Sequence, residues 1–223
     1  TVIQWMAKVV QEASRLPLSI DSSNPTILRA GLAACDAARG RPMVNSVSLE
    51  RADSIPVAAE FKARVVASAA GEKDLPSTTE GRLENLARLF PKLEAAGIRG
   101  DAVYVDPLVF PVATDSANAR SFLEAVAAVR KTYGPAIHIT GGLSNVSFGM
   151  PNRKLINQVF TDLAVARGAD SGIVDPLQIN AKILAGLDRS AEPYRLAQAL
   201  LEGSDEFGAE YLTAHREGRL GKE

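Results

Sequence analysis

The sequence predicts an α/β fold with a parallel sheet, and within that class a TIM-type (β/α)8 barrel. Three observations carry this. Short runs rich in β-branched residues alternate with longer segments whose apolar residues recur at helical spacing. Each short run is apolar almost throughout, as strands are when helices cover both faces of a sheet. Asp or Asn then recurs where the runs end, at Asp21, Asn45, Asp106, Asn145 and Asp175. A barrel gathers such positions at one mouth, whereas an open sheet spreads them along an edge.

The elements follow in order. Val2, Met6, Val9, Val10 and Ala13 mark an opening helix that ends near Arg15, and no capping residue precedes it. Residues 17–20 read as the first strand, ending at Asp21. Ser22-Ser23-Asn24-Pro25 is a helix entry, with polar caps and a proline in the first turn. The stripe Ile27, Leu28, Gly31, Leu32 and Cys35 then runs to a stop at Gly40. Residues 42–47 are the second strand, 52–63 a short helix, and 65–69 the third strand. A helix covers 80–96 and a fourth strand 102–105, ending at Asp106-Pro107. Residues 117–133 are helical, 136–140 a fifth strand, 141–151 a loop and 152–167 a helix closed by Gly168. Residues 171–174 read as a sixth strand, ending at Asp175-Pro176. The remainder is helical, with polar breaks at 188–190 and 203–204. No linker or low-complexity tract interrupts the pattern, so residues 1–223 read as one domain.

Composition removes several function classes. The 223 residues hold 25 Lys+Arg against 26 Asp+Glu, for a net charge of −1. That leaves no basic excess for phosphate binding, and nucleic acid is not an expected partner. No apolar run approaches the ~20 residues of a membrane span, so no membrane is expected. Cys35 is the single cysteine, which excludes an intrachain disulfide and points to a reducing compartment, read as the cytoplasm. The two histidines, His138 and His215, have no second His or Cys at ligand spacing, so no metal site is expected. Without G-x-G-x-x-G after the first strand, dinucleotide binding has no support.

The strand-end residues point to a ligand. Carboxylates present two acceptor oxygens, and an amide offers a donor and an acceptor. Asp21, Asn45 and Asp106 around one mouth suit a flat ligand whose edge carries a donor fork beside an acceptor, as a 2-amino-4-oxo pyrimidine does. The competing reading is that each Asp caps the turn that follows, most seriously at Asp21 and Asp175. The loop Gly141-Gly142-Leu143-Ser144-Asn145-Val146-Ser147-Phe148 adds two glycines that permit close approach of a ligand to backbone.

At this loop the sequence resembles the methyltetrahydrofolate:corrinoid methyltransferases, a group that includes the folate domain of cobalamin-dependent methionine synthase. It sits in the pterin-binding superfamily with dihydropteroate synthase. The motifs are Gly-Leu-Ser-Asn-Val-Ser-Phe at 142–148 with Asn152-Arg153 and Leu155-Ile156-Asn157. Leu18 to Asn24 resembles that family's third strand, Met43 to Ser46 its fourth, Tyr104 to Leu108 its sixth and Ile173 to Pro176 its eighth. The resemblance implies a methyltransferase acting between 5-methyltetrahydrofolate and the cobalt of a corrinoid (cobalamin) carried by a partner protein. It implies that Asp21, Asn45 and Asp106 hydrogen-bond the pterin. Asn145 then stands beside the methyl-bearing nitrogen as the catalytic residue, and Ser144, Arg153 and Asp175 line the site. Homodimers are usual in that family.

Two departures matter. Some family members carry Gln where this chain has Phe148, so Phe148 takes no catalytic role. The family's first two strands have no counterpart in these residues, which leads us to expect a truncated or partly represented form of a longer protein. Dihydropteroate synthase is the nearest alternative, but Ser144-Asn145-Val146 replaces the Ser-Arg-Lys run with which that enzyme handles pyrophosphate. A non-catalytic folate- or corrinoid-protein-binding module is the alternative from another class.

Overall fold

The computed structural model describes residues 1–221. Strands β1 (Ser19–Asp21), β2 (Met43–Val47), β3 (Arg64–Ser68), β4 (Val103–Asp106) and β5 (His138–Ile139) form a sheet in the order β1-β2-β3-β4-β5. The pairings of β1 through β4 are parallel. α1 (Val2–Ala13) precedes β1, and between the strands run α2 (Pro25–Ala33), α3 (Ile55–Glu60), α4 (Thr79–Ala95) and α5 (Asn118–Tyr133). They are followed by α6 (Arg153–Ala166), α7 (Ala181–Ala185), α8 (Glu192–Glu202) and α9 (Ala209–Arg216). Strand and helix thus alternate in sequence through β5, as the pattern of apolar runs requires.

The chain divides into two compact units. One comprises Thr1–Asp106 with Tyr133–His138, the other Pro107–Thr132 with Ile139 onward.

In the first unit the core is built from the inward residues of β2 to β4, with Val44, Val65, Ala67 and Val105 fully buried. Asn24 caps α2, its side chain accepting from the N–H groups of Thr26 and Ile27, and Pro25 occupies the first turn. Gly31 lets α2 lie close to its neighbours: a Cβ there would stand 2.7 Å from Ile20 Cγ2 and 3.0 Å from Ile3 Cγ1. Thr78 caps α4, which buries Arg82, Leu86, Leu89 and Leu93 along one stripe.

α1 departs from its sequence pattern. Thr1 takes the N-cap position, and the residues turned inward are Ala7 and Gln11. Gln11 donates to the Ala34 carbonyl at 3.0 Å and accepts from the Asp36 N–H at 2.7 Å. This polar hook, with Ile3 against Gly31, sets the rotation of α1 and leaves Trp5 64% exposed beside Val2, Met6, Val9 and Val10.

In the second unit α6 is the central helix, with Ile156, Val159, Phe160 and Ala164 fully buried and Phe122 of α5 tilted against Phe160 at 5.2 Å. The sixth strand expected at 171–174 is reduced to an isolated parallel bridge between Gly142 and Ile173. Backbone bonds from Ser171 N–H to the Ile139 carbonyl at 3.2 Å and from Ile173 N–H to the Gly141 carbonyl at 2.9 Å remain, and side chains supplement them. The Asp170 carboxylate accepts the Ile139 N–H at 2.9 Å, and the Ser171 hydroxyl donates to the Ile139 carbonyl at 3.0 Å. The predicted breaks at 188–190 and 203–204 are real: α7 and α8 separate across the first, and Gly203 closes α8 with a φ of 74°.

Candidate functional site

The first unit places its predicted residues by strand register. Asp21 pairs with Asn45, Asn45 with Val66, and Val66 with Tyr104, so these lie at one level across four strands. Ser68 pairs with Asp106 two residues further on. Alternation puts Tyr104 and Asp106 on the same face of β4, both half-buried between the buried Val103 and Val105.

Asn45 Nδ2 donates to Asp21 Oδ2 at 3.3 Å. That bond turns the pair into an acceptor surface, with the Asn45 carbonyl oxygen and a second Asp21 oxygen left over. Asp21 does not cap α2, since Asn24 holds that position. β2 carries a bulge directly after Asn45, where the register with β3 shifts. The Ala69 N–H donates to the Asp106 carbonyl at 2.9 Å, which locks the ends of β3 and β4 together.

Tyr104 and His138 stack with ring centroids 4.4 Å apart. Sequence reasoning set His138 aside as a strand residue without metal partners, and missed that Tyr104 shares its face with Asp106. The period of two in β4 was the available signal. Arg82 was also missed. It is 0% exposed although it carries a guanidinium. Burial pulls that group below its ordinary range, and the Asp106 carboxylate opposes the fall. Its position in the stripe 82, 86, 89, 93 marks it in the sequence as a cation on a core face.

The second unit builds its predicted residues on a loop. Leu143–Ser147 forms a 3-10 turn whose Val146 carbonyl accepts the Val112 N–H at 3.0 Å. Ser147 is fully buried. Its hydroxyl donates to the Ser144 carbonyl at 3.1 Å and accepts from Arg153 Nε at 3.0 Å. Arg153 Nη2 donates to that same carbonyl at 3.0 Å, and its guanidinium lies 4.4 Å from the Phe148 ring centre. Arg153 is therefore a brace: it fixes the turn that carries Asn145.

Asn145 itself is exposed. A Cβ on Gly142 would stand 2.9 Å from Asn145 Nδ2, so the amide lies directly over that glycine. Asp175 shows the turn-capping geometry that competed with a ligand role. It accepts from the Leu177 N–H and from Gln178 Nε2, each at 2.9 Å.

Cys35 donates weakly to the Gly31 carbonyl at 3.4 Å, and burial pushes its thiol up, away from nucleophilic use. Among the described residues, no group of three or more His, Cys, Asp and Glu is arranged to hold a metal ion. Among the same residues, no helix is long and apolar enough to cross a membrane.

Residues 1–175 match the family described as pterin binding enzyme. The chain belongs to this family. It falls in the methyltransferase branch that its motifs resemble. It is 33% identical over 224 residues to a methylcorrinoid:tetrahydrofolate methyltransferase of Eubacterium limosum, covering 98% of this chain and 78% of that protein. It is 34% identical over 180 residues to methionine synthase of Mycobacterium leprae, covering 74% of this chain but 15% of that much longer protein.

Solved structures extend the likeness to the fold. A dihydropteroate synthase of Coxiella burnetii in complex with pteroic acid has a TM-score of 0.61 at 19% identity, covering 82% of this chain and 70% of that one. The enzyme of Xanthomonas albilineans in complex with 7,8-dihydropteroate has a TM-score of 0.59 at 24% identity, covering 82% and 70%. The fold of the family is thus the TIM-barrel class that the alternating pattern predicts.

Proposed function

We propose that the chain moves a methyl group between 5-methyltetrahydrofolate and the cobalt of a corrinoid carried by a partner protein. One observation carries this most: the likeness to a methylcorrinoid:tetrahydrofolate methyltransferase runs through 98% of the chain. The chemistry of the residues fits the substrate. A pterin edge offers an amino group and an adjacent ring N–H, and Asp21, Asn45 and Asp106 present acceptor oxygens to meet them. Ser144, Arg153 and Asp175 complete the proposed set, Arg153 through the turn it braces.

The corrinoid supplies the cobalt centre with which the methyl group is exchanged. What this chain supplies is control of the pterin nitrogen. A methyl group on a tertiary amine has a poor leaving group until that nitrogen gains a proton or a strong hydrogen bond. The exposed Asn145 amide provides both an acceptor for an N–H and a donor for a lone pair. It stabilises the protonated, reacting form, and water delivers the proton. The partner docks as a separate protein, and the chain acts as a homodimer in the cytoplasm.

The test is a spectroscopic methyl-transfer assay with methyltetrahydrofolate and a reduced corrinoid protein, together with calorimetry of folate binding. Binding with transfer supports the enzyme. Binding without transfer to any corrinoid protein reduces the chain to a folate-binding module, and absence of binding overturns the reading.

A further inference from the structure

The sheet of the first unit has two unlike faces. On one, Ile20 lies against α2, where a Cβ on Gly31 would stand 2.7 Å from its Cγ2. The register Ile20, Val44, Val65, Val103 carries this face across four strands, and all four side chains are buried. Side chains alternate along a strand, so the next row, Asp21, Asn45, Val66 and Tyr104, belongs to the opposite face. Tyr104 is therefore level with the Asp21–Asn45 pair, and Asp106 follows it two residues on along β4.

This second face holds an aromatic pair among its acceptors. The Tyr104 and His138 rings stack with centroids 4.4 Å apart and planes 22° apart. Each ring is half-buried, as are Asn45 and Asp106, while Asp21 is exposed. A barrel interior filled for packing alone takes branched aliphatics, which is what Val66 supplies in the same row, at 1% exposure. Two stacked rings that keep part of their surface accessible beside a row of acceptors serve a flat ligand better than they serve a core. A pterin has both an edge and a face: oxygens satisfy the edge, but the π-face needs an aromatic or apolar surface to leave water.

We propose that the Tyr104–His138 stack is the aromatic wall of the pterin site: the bicyclic ring packs against it while Asp21, Asn45 and Asp106 take its donor edge. This rests on the pterin reading of those three residues. Tyr104 makes the contact, and His138 backs its ring.

The experiment is calorimetry on wild type, Tyr104→Phe, Tyr104→Leu and His138→Leu, with tetrahydrofolate and with a pterin that lacks the aminobenzoyl-glutamate tail. Tyr104→Leu weakens both ligands by about tenfold, the scale of one lost ring-on-ring contact. His138→Leu weakens them by about threefold, and Tyr104→Phe, which keeps the ring, by about twofold or less. Stacking also lowers the absorption of the bound pterin, in wild type and Tyr104→Phe but not in Tyr104→Leu. Where Tyr104→Leu does not fold, His138→Leu and the absorption of the pterin bound to wild type carry the test. Folded Tyr104→Leu with wild-type affinity overturns the inference and leaves the pair as packing. A loss in Tyr104→Phe equal to that in Tyr104→Leu overturns it too, because the hydroxyl and not the ring then makes the contact. Wild-type protein that binds neither ligand overturns the pterin reading itself, and this inference with it.

Discussion

The two units carry their proposed site residues in opposite ways. In the first, Asp21, Asn45 and Asp106 stand on strand ends whose spacing is fixed by the parallel ladder. In the second, Asn145 stands on a 3-10 turn held by the side chains of Ser147 and Arg153. A ladder places groups rigidly with no need of further side chains. A turn places a group wherever its braces hold it, which lets one amide be aimed without altering the strand beneath. On the function proposed above, the difference is a division of labour, with recognition assigned to the sheet and rate control to the loop.

The largest expected effect tests that division directly. Asn145→Ala lowers the methyl-transfer rate by about 100-fold, the scale of losing one preorganised polar group in the transition state, while tetrahydrofolate affinity changes little. Single-turnover transfer and calorimetry read the two quantities separately. Unchanged turnover would remove Asn145 from the mechanism and break the comparison.

The reciprocal change comes next. Asn45→Ala deletes a proposed pterin acceptor and the donor that orients Asp21. It weakens tetrahydrofolate binding by about tenfold, with a smaller effect on the rate of bound substrate. A variant that lost rate but not affinity would show that the strand ends also act in the chemical step.

How legible each unit was in the sequence follows from the same difference. The strand ends could be found because apolar runs terminate visibly, and Asp21, Asn45 and Asp106 sit at those terminations. The buried cation behind them was harder to see. Arg82 looks like any polar residue of an amphipathic helix until its place in the stripe with Leu86 is noticed. The loop's content was legible through its glycines and its motif, but its mechanics were not. The resemblance marks Arg153 only as a lining residue, and nothing in the sequence says that its Nε and Nη2 brace the turn through Ser147 and Ser144. The strand at 171–174 failed for a related reason. Propensity does not register that Asp170 takes the Ile139 N–H with its side chain and so replaces a ladder bond.

Gly142→Ala sharpens the loop half of the comparison without removing any polar side chain. The backbone at Gly142 has φ −73° and ψ 72°, the inverse γ-turn conformation, which is open to alanine. The new Cβ stands 2.9 Å from Asn145 Nδ2, and the amide end is the part free to move. We expect the transfer rate to fall several-fold while the melting temperature and folate affinity hold. If the rate is unaffected, the placement of the amide over Gly142 has no bearing on transfer.

The smallest effect concerns the stability of the second unit and separates it from its loop. Tyr194 donates its hydroxyl to Asp162 Oδ2 at 2.7 Å, and Arg189 meets the same carboxylate through Nε at 2.8 Å and Nη2 at 2.6 Å. Burial, followed by the bond to Asp162, pushes the Tyr194 phenol up to about 12. In the unfolded chain a tyrosine titrates near ~10. Between these values the folded protein therefore binds more protons than the unfolded one, and stability falls as pH rises through the window. Below it the contribution is fully present. Denaturant unfolding at pH steps across that range should show wild type losing more stability than Tyr194→Phe, the difference cancelling the lysines that titrate nearby. Identical profiles would mean that the phenol is not held by Asp162 in solution. A loss confined to this window, with Asn145-dependent transfer at neutral pH unchanged by Tyr194→Phe, would show that the loop is aimed by its own braces and not by the packing of the unit that carries it.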